Sequence, residues 1–262
     1  MCTTFNHAIV RRPAASMING LTGSPELGTP DYQLALEQHA RYVEALEACG
    51  LEVEVLPALE EFPDSCFVED VAVICGDGVV LTRPADPSRA GEVAYIEDAL
   101  AAHFDAAHTQ RVEGPATLEG GDVMLAGGTF FVGQSHRTNA DGLEQFGEAV
   151  NAWGFAAQGV PVSGYLHLKT GITYLGNNKL LVTSEFADAP ELASFERILV
   201  PNDEDYAVNT ISANGRVIMA EGYPVTRGLI EGAGFTDIIE VPMTEFRKID
   251  GGLTCLSLRF TV

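Results

Sequence analysis

Short apolar runs recur in pairs along this chain, and each pair is joined by a turn rich in glycine or asparagine. Turns of this composition are typical of tight β-hairpins, because glycine and asparagine adopt positive φ angles more readily than other residues. The predicted hairpins are Val71–Cys75 with Val79–Thr82, Asp122–Leu125 with Thr129–Val132, Ile172–Leu175 with Lys179–Thr183, and Val208–Ser212 with Arg216–Met219.

An α-helix is predicted after each hairpin. These helices lie near Gly91–Ala102, from about Ala140 to Trp153, in a short stretch from Pro190, and from Pro224 to Gly232. Near the N-terminus, Asp31 is a candidate cap for a helix from Tyr32 to about Cys49. Strands are predicted on either side of that helix, at Ala8–Arg12 and Leu51–Leu56. The segment Met17–Pro30 is too irregular for a regular element and is expected to form a functional loop.

The hairpin-plus-helix unit repeats at spacings of about 40–50 residues, which indicates one duplicated supersecondary unit. A fifth copy is cut short at Leu253–Phe260, and the N-terminal elements would complete it. Five units could close into a ring whose loops converge on a central channel. An open α+β sheet is the alternative arrangement.

Length and charge narrow the classes of function. With 262 residues, 46% of them hydrophobic, the chain can bury a large core as one big domain or two small ones. A net charge of −22 argues against nucleic acids and anionic membranes as partners. The charge suits a small partner that carries positive charge, although an acidic, solubilising surface explains most of the excess.

The N-terminal residues lack the pattern of a signal peptide, and no apolar run approaches the length of a membrane span. The five cysteines, Cys2, Cys49, Cys66, Cys75 and Cys255, have neither disulfide-framework nor zinc-ligand spacing. We therefore expect a protein of the reducing cytoplasm with free thiols, one of which could be reactive.

Polar residues stand just before the first strand of several units. They are Asp64, Glu69 and Asp70 in PDSCFVEDVAV, Glu119 in TLEGGD, His167 in LHLKTG, and Cys255 after Asp250-Gly251-Gly252. In a closed ring these residues could meet at the centre as a nucleophile, a general acid/base and its orienting carboxylate. The competing interpretation makes Cys255 a small buried residue on the last strand and His167 a hydrogen-bonded core residue.

The surplus carboxylates suggest a cationic ligand, most naturally a guanidinium, which carboxylates bind through paired hydrogen bonds. Arg89 and Arg137 lie in loops that follow hairpins, where they could bind a substrate carboxylate. Together these groups favour an amino acid with a guanidino side chain. Taken singly, both arginines could equally be ordinary surface residues.

Several motifs, from Ala8 to Phe260, resemble those of the bacterial dimethylarginine dimethylaminohydrolase family, within the guanidino-group modifying (pentein) superfamily. They are FPDSCFVEDVAV, LTRPADPSRAGE, TLEGGDVM, FVGQSHRTNADG, LHLKTG, ANGRVIMAEGYP and RKIDGGLTCLSLRF. The resemblance implies an α/β fold, a five-bladed α/β propeller of ββαβ repeats with a central active-site channel. It also implies one catalytic domain over residues 1–262.

The same resemblance implies roles for individual residues. Cys255 would be the nucleophile, His167 the general acid/base, and Glu119 the residue that orients His167. The substrate-binding residues would be Glu69 and Asp70 for the guanidinium, Arg89 and Arg137 for the carboxylate, Asp64 and the Leu21 main chain for the α-amino group, and the Ile249 backbone as a further contact. Leu21 would belong to a lid formed by the loop Met17–Pro30, and Ser257 is a weaker candidate for a supporting role.

The implied reaction is hydrolysis of dimethyl- or monomethylarginine to citrulline, with neither a metal nor an organic cofactor, in a cytoplasmic homodimer. An arginine deiminase-like activity is the nearest alternative within the superfamily. Two other classes remain: an N-terminal nucleophile hydrolase acting through Cys2, and a non-catalytic arginine-binding propeller.

Overall fold

Short strands in five separate three-stranded sheets make up the framework of this computed structural model, which describes residues 3–262. The alternative built on Cys2 lies outside the described residues. The strands are β1 (His7–Arg11), β2 (Glu52–Leu56), β3 (Ala72–Cys75), β4 (Gly78–Leu81), β5 (Thr109–Arg111), β6 (Val123–Ala126), β7 (Thr129–Gln134), β8 (Ala156–Pro161), β9 (Ile172–Gly176), β10 (Lys179–Val182), β11 (Glu196–Leu199), β12 (Ile211–Ala213), β13 (Arg216–Ala220), β14 (Ile238–Val241) and β15 (Ser257–Phe260).

Helices connect the second and third strands of most sheets. The α-helices are α1 (Tyr32–Ala48), α2 (Glu92–Leu100), α3 (Ala140–Ala152), α4 (Leu168–Gly171), α5 (Pro224–Gly232) and α6 (Thr244–Arg247). Asp31 caps α1 as expected, accepting hydrogen bonds from the N–H groups of Gln33 and Leu34. The helix predicted near Pro190 is only a three-residue 3-10 helix, Pro190–Leu192. No helix in residues 3–262 is long and apolar enough to cross a membrane.

All five sheets share one topology. In the first sheet β3 is antiparallel to β4, and β4 is parallel to β5. The next three sheets repeat this pattern as β6-β7-β8, β9-β10-β11 and β12-β13-β14. The fifth joins the two ends of the chain, with β15 antiparallel to β1 and β1 parallel to β2. We call these sheets blades one to five in that order.

The blades close into a ring, because each of five apolar clusters is shared by two successive blades. Clusters join blades one and two, two and three, three and four, and four and five. The remaining cluster joins the fifth blade to the first through Ile9, Val79 and Leu258. Adjacent residues of one strand face opposite neighbours, as Val123 and Met124 do in β6. The protein is therefore a five-bladed α/β propeller, and the single open sheet is excluded.

A short helical turn precedes the first strand of each blade. These turns are Val68–Val71, Gly120–Asp122, α4, Asn202–Val208 and Thr254–Leu256. Several first strands consequently start later than predicted, and Cys255 lies in a turn and not on the last strand. A helical turn aims successive side chains in different directions, so it can present one group to the channel while burying the next.

Candidate active site

One cavity of about 290 Å³ opens where the helical turns meet at one end of the ring. Its lining includes nine of the ten predicted site residues: Leu21, Asp64, Asp70, Arg89, Glu119, Arg137, His167, Ile249 and Cys255. The other lining residues are Thr22, Gly23, Phe67, Leu166, Asp250 and Gly251. Segments far apart in the sequence thus contribute to a single pocket, as the ring arrangement requires.

The double glycine of the second blade lets two charged side chains approach its backbone. A Cβ atom at Gly121 would lie 2.7 Å from Nδ1 of His167 and 2.8 Å from Oδ1 of Asp70, closer than real Cβ contacts. The Gly121 N–H donates to Oδ1 of Asp70 over 3.0 Å. Glycine at this position therefore permits the close arrangement of His167 and Asp70.

His167 is buried and paired with a buried carboxylate. Its Nε2 lies 2.7 Å from Oε2 of Glu119, within hydrogen-bonding distance. Burial by itself would lower the pKa of His167, but the nearby Asp70 and the bond to Glu119 outweigh burial and raise this pKa from 6.5 to about 9. At neutral pH His167 is therefore an imidazolium that can donate a proton.

Asp70 lies beside His167 at the base of the cavity. Oδ2 of Asp70 accepts a 2.6 Å hydrogen bond from Nη1 of Arg89. Burial opposes ionisation of this carboxyl, but the charges of His167 and Arg89 overcome it and lower its pKa. Asp70 is therefore a carboxylate, and its remaining lone pairs can accept hydrogen bonds from a ligand.

Cys255 is half-buried in the helical turn Thr254–Leu256, which follows Gly251 and Gly252. The Gly252 N–H donates to Sγ of Cys255 over 3.5 Å. Burial, followed by the negative charges of Asp70 and Glu69, raises the thiol pKa to about 12. The ligand-free site therefore holds a thiol, and forming the thiolate requires additional positive charge nearby.

Arg89 and Arg137 differ in how many N–H groups they have left to bind a ligand. Arg89 is buried, and its Nε and Nη2 contact the Glu92 carboxylate and the backbone oxygens of Asp64 and Phe67. With Nη1 also bonded to Asp70, a guanidinium with five N–H groups keeps about one for a ligand. Arg89 therefore neutralises the carboxylates of Asp70 and Glu92, and its predicted contact with a substrate carboxylate stays a prediction that this remaining donor would serve.

Arg137 is the less committed of the two. Nη1 of Arg137 forms a 3.5 Å ion pair with Oε1 of Glu119, and the Arg137 side chain is 19% exposed at the cavity. Most of its donors are thus free to bind an anionic group that enters the pocket.

Among the ten predicted site residues, Glu69 is the one that does not line this cavity. Its Oε1 pairs with Nζ of Lys169 at 2.6 Å and with Nη2 of Arg259 at 3.1 Å. It lines a second cavity of about 1000 Å³, which runs along the first strands of the blades. Glu69 thus lines this second cavity, and its charge still affects the Cys255 thiol. The guanidinium contact that the resemblance implies for Glu69 stays a prediction.

Asp64 and the lid segment form one side of the cavity mouth. The Leu21 N–H donates to Oδ1 of Asp64 over 3.0 Å, and the Gly23 N–H donates to Oδ2 of Asp250 over 2.5 Å. These contacts hold the loop Met17–Pro30 against the pocket. Burial raises the pKa of Asp64 despite the nearby Arg89, so a cationic group bound here would favour its ionised form.

Ser257, the weaker candidate for a supporting role, does not line the cavity that contains Cys255. It is fully buried at the start of β15, where Oγ lies 2.6 Å from the Tyr42 hydroxyl and also contacts Arg259. It lines the second cavity together with Arg259. Ser257 therefore supports the channel wall.

One group in the described residues has the composition and spacing of a metal site. Asp70, Glu119 and His167 each offer an atom within 4.8 Å of the others. These side chains are also bonded to Arg89, Gly121 and one another, and the cationic His167 would have to lose its proton before it could bind a metal.

Sequence reasoning missed several residues that support the site. Lys169 and Arg259 pair with Glu69, and Asp122 accepts hydrogen bonds from the Leu168 N–H and the Ser135 hydroxyl. Charged residues within or just before strands rich in apolar residues are the signal that could have identified all three.

A propeller that brings a cysteine, a histidine–carboxylate pair and further carboxylates into one cavity has the arrangement of a guanidino-group modifying enzyme. The family model described as N,N dimethylarginine dimethylhydrolase, eukaryotic, matches residues 25–219. The chain belongs to the dimethylarginine dimethylaminohydrolase family.

Full-length relatives agree with this family. The N(G),N(G)-dimethylarginine dimethylaminohydrolase of Pseudomonas aeruginosa is 45% identical over 98% of this chain and 100% of that protein. The Streptomyces coelicolor protein of the same name is 39% identical over 96% of each chain. A solved Pseudomonas aeruginosa structure, a cysteine-to-serine mutant complexed with citrulline, superposes with a TM-score of 0.95 at 44% identity and covers 98% of this chain and all of its own.

Proposed function

We propose that the protein hydrolyses Nω,Nω-dimethyl-L-arginine, and its monomethyl counterpart, to L-citrulline and dimethylamine or methylamine. The observation that carries this conclusion is the convergence of Cys255, the His167–Glu119 pair and Asp70 in one cavity of a family member. Solved relatives bound to citrulline and to S-methyl-L-thiocitrulline support a small guanidino amino acid as the substrate.

The cavity suggests one orientation for that substrate. Its guanidinium would lie beside Asp70, and its α-carboxylate would bind mainly to Arg137. The α-amino group would contact Asp64 and the main chain of Leu21 and Ile249 at the mouth. The uncommitted donors of Arg137 and the remaining lone pairs of Asp70 support this direction of binding.

The first chemical step forms a bond between carbon and sulfur. The bound guanidinium favours ionisation of Cys255, whose proton is released to solvent, and the thiolate attacks the guanidinium carbon to give a neutral tetrahedral intermediate. His167 donates its proton to the substituted nitrogen, and dimethylamine leaves as the C–N bond breaks. The product of this step is an S-alkylthiouronium cation on Cys255, which the charge of Asp70 stabilises.

The second step breaks the carbon–sulfur bond. His167, now neutral, takes a proton from water as the oxygen adds to the thiouronium carbon. Collapse of this intermediate expels the Cys255 thiolate, and loss of one proton leaves the ureido group of citrulline. Glu119 holds His167 in position in both steps and stabilises its protonated form.

A comparison of products on three substrates tests the function. We expect citrulline with one equivalent of dimethylamine from asymmetric dimethylarginine, and methylamine from monomethylarginine. Cys255→Ala should abolish both, whereas Cys75→Ala, a matched change at a buried core cysteine, should retain turnover per folded molecule. Full activity of Cys255→Ala would refute the mechanism.

Hydrolysis of unmodified arginine is the second candidate function. Proteins described as bifunctional arginine dihydrolase/ornithine cyclodeaminases are 27% and 26% identical to this chain over 80% and 87% of its length. Ammonia release from arginine at a kcat/KM above that for dimethylarginine would favour this activity.

Three organisational features belong to the same proposal. We infer that residues 1–262 act as one catalytic domain, because the cavity draws on all parts of the ring except the fourth blade. Free thiols at Cys49, Cys66, Cys75 and Cys255 support a reducing, cytoplasmic location. Sedimentation analysis tests the expected homodimer.

A further inference from the structure

The fourth blade is the one whose helical turn supplies no residue to the catalytic cavity. Its turn, Asn202–Val208, is followed by Asn209, which is 6% exposed. Nδ2 of Asn209 donates to the Lys169 carbonyl over 3.0 Å and to Oγ1 of Thr254 over 3.1 Å. Oδ1 of Asn209 accepts from the Thr254 N–H over 2.9 Å. Both amide donors and the amide acceptor are thus used.

The partners of Asn209 belong to the two segments that carry the reacting groups. Lys169 is two residues after His167, and Thr254 immediately precedes Cys255. One buried amide therefore connects the turn of the third blade to that of the fifth. The relative position of acid and nucleophile depends in part on this connection, because it joins the two turns directly, in addition to the bonds of His167 and the Leu168 N–H to the second blade.

Close packing at Gly252 adds a second, independent link. A Cβ atom at Gly252 would lie 2.5 to 2.7 Å from the amide atoms of Asn209, so the glycine backbone rests directly on the amide plane. The N–H of the same glycine donates to Sγ of Cys255. Asn209 thus supports the backbone donor that stabilises the thiolate, in addition to the turn that carries it.

We propose that Asn209 is a positioning residue that holds His167, Cys255 and the Gly252 N–H in the relative positions that attack on the substrate requires. It touches neither substrate nor the reacting atoms and acts through the two turns it joins. The turnover part of this inference rests on the proposed function; the reactivity of the thiol does not.

The experiment compares Asn209→Ala and the isosteric Asn209→Asp with Ser212→Ala. Asn209→Asp keeps the acceptor for Thr254 but loses both donors, so it tests the link if the alanine variant fails to fold. Ser212→Ala is the matched control, because Ser212 lies in the same blade and donates one buried hydrogen bond, to the Leu175 carbonyl. Thermal unfolding gives the folded fraction of each.

We expect both Asn209 variants to lose about 10- to 100-fold in kcat, with KM changed less than about threefold, since small misplacements of reacting groups cost this much. Alkylation of Cys255 by iodoacetamide, followed by mass spectrometry from pH 6 to 10, should slow in Asn209→Ala and shift to higher pH. Ser212→Ala should keep kcat and alkylation within about twofold of the wild type.

Any of three results would overturn the proposal. The first is a kcat within about twofold of wild type in a folded Asn209 variant, and the second is a loss of kcat that Ser212→Ala reproduces at similar thermal stability. The third is an unchanged Cys255 alkylation profile in Asn209→Ala, whatever happens to turnover. Alkylation needs no substrate, so a wild-type protein that fails to release dimethylamine would refute the proposed function and leave this test standing.

Discussion

Glu119→Gln isolates the charge that Glu119 contributes to His167. Glutamine keeps the length of the side chain and an atom that can hydrogen-bond Nε2 of His167, but it removes the negative charge 2.7 Å away. Because that charge favours the imidazolium, the pKa of His167 should fall. The proton that the leaving amine needs would then be absent over part of the working pH range.

The size of the effect follows from the shift that the site imposes. The rise of the His167 pKa from 6.5 to about 9 amounts to about 3 kcal/mol in favour of the imidazolium. Asp70, Glu119 and Asp122 all contribute, so loss of one should cost about one to two pKa units. At pH 8 the protonated fraction should drop from about nine-tenths to between one-half and one-tenth.

The assay is kcat against pH, together with direct titration of the histidine by NMR of labelled protein. We expect the titration of His167 to move down to about 7 to 8 and kcat at pH 8 to fall about two- to tenfold. Glu204→Gln serves as the control, because Glu204 is a buried carboxylate that caps α5 and does not contribute to the His167 shift. A His167 titration that does not move in Glu119→Gln would refute the reasoning.

Two further predictions concern stability. Because the pKa of His167 is raised in the folded protein, this residue adds about 3 kcal/mol to the free energy of unfolding below pH 6.5, and the contribution is lost as pH rises through about 9. Urea unfolding at pH 6 and 9.5 should show the loss. An equal loss in Glu119→Gln would contradict the prediction. Arg89→Ala should destabilise by about 3–5 kcal/mol, since it leaves the buried Glu92 unpaired and removes one of the cationic partners of Asp70. Arg137→Ala should mainly raise KM, and equal destabilisation by both changes would contradict the assignment.

The hairpins could be predicted because their signals are local. Asn177, Asn178 and Asn214 adopt positive φ angles in the turns, and so do the glycines beside them. Each first strand is largely apolar because its two faces pack against different neighbours. The third strands of blades one to four were missed, as in the case of Thr109–Arg111, because an outer strand with exposed polar residues lacks such an apolar run.

The site could be predicted as a set of residues but not as a geometry. Most candidates precede a first strand, and Arg89 and Arg137 follow a second strand, so a ring of antiparallel hairpins brings them to one end. The sequence does not specify which way a side chain leaves a helical turn: Asp70 faces the cavity, whereas its neighbour Glu69 faces the channel. Asn209 was missed because a lone asparagine after a polar turn has no distinguishing pattern, and its role depends on contacts with residues about 40 positions away.

Burial and charge in the cavity explain why its nucleophile stays a thiol until a cation binds. Burial, followed by the negative charges of Asp70 and Glu69, raises the pKa of Cys255 to about 12, while Asp70 also helps to keep His167 charged. A guanidinium about 4 Å from the sulfur would favour the thiolate by about 4 kcal/mol at an effective dielectric constant of 20. This equals about three pKa units, enough to bring the thiol close to the pKa of His167. A neutral urea such as the product supplies no such charge, so the carboxylates that bind the substrate also confine the reactive thiolate to the complex with a cation.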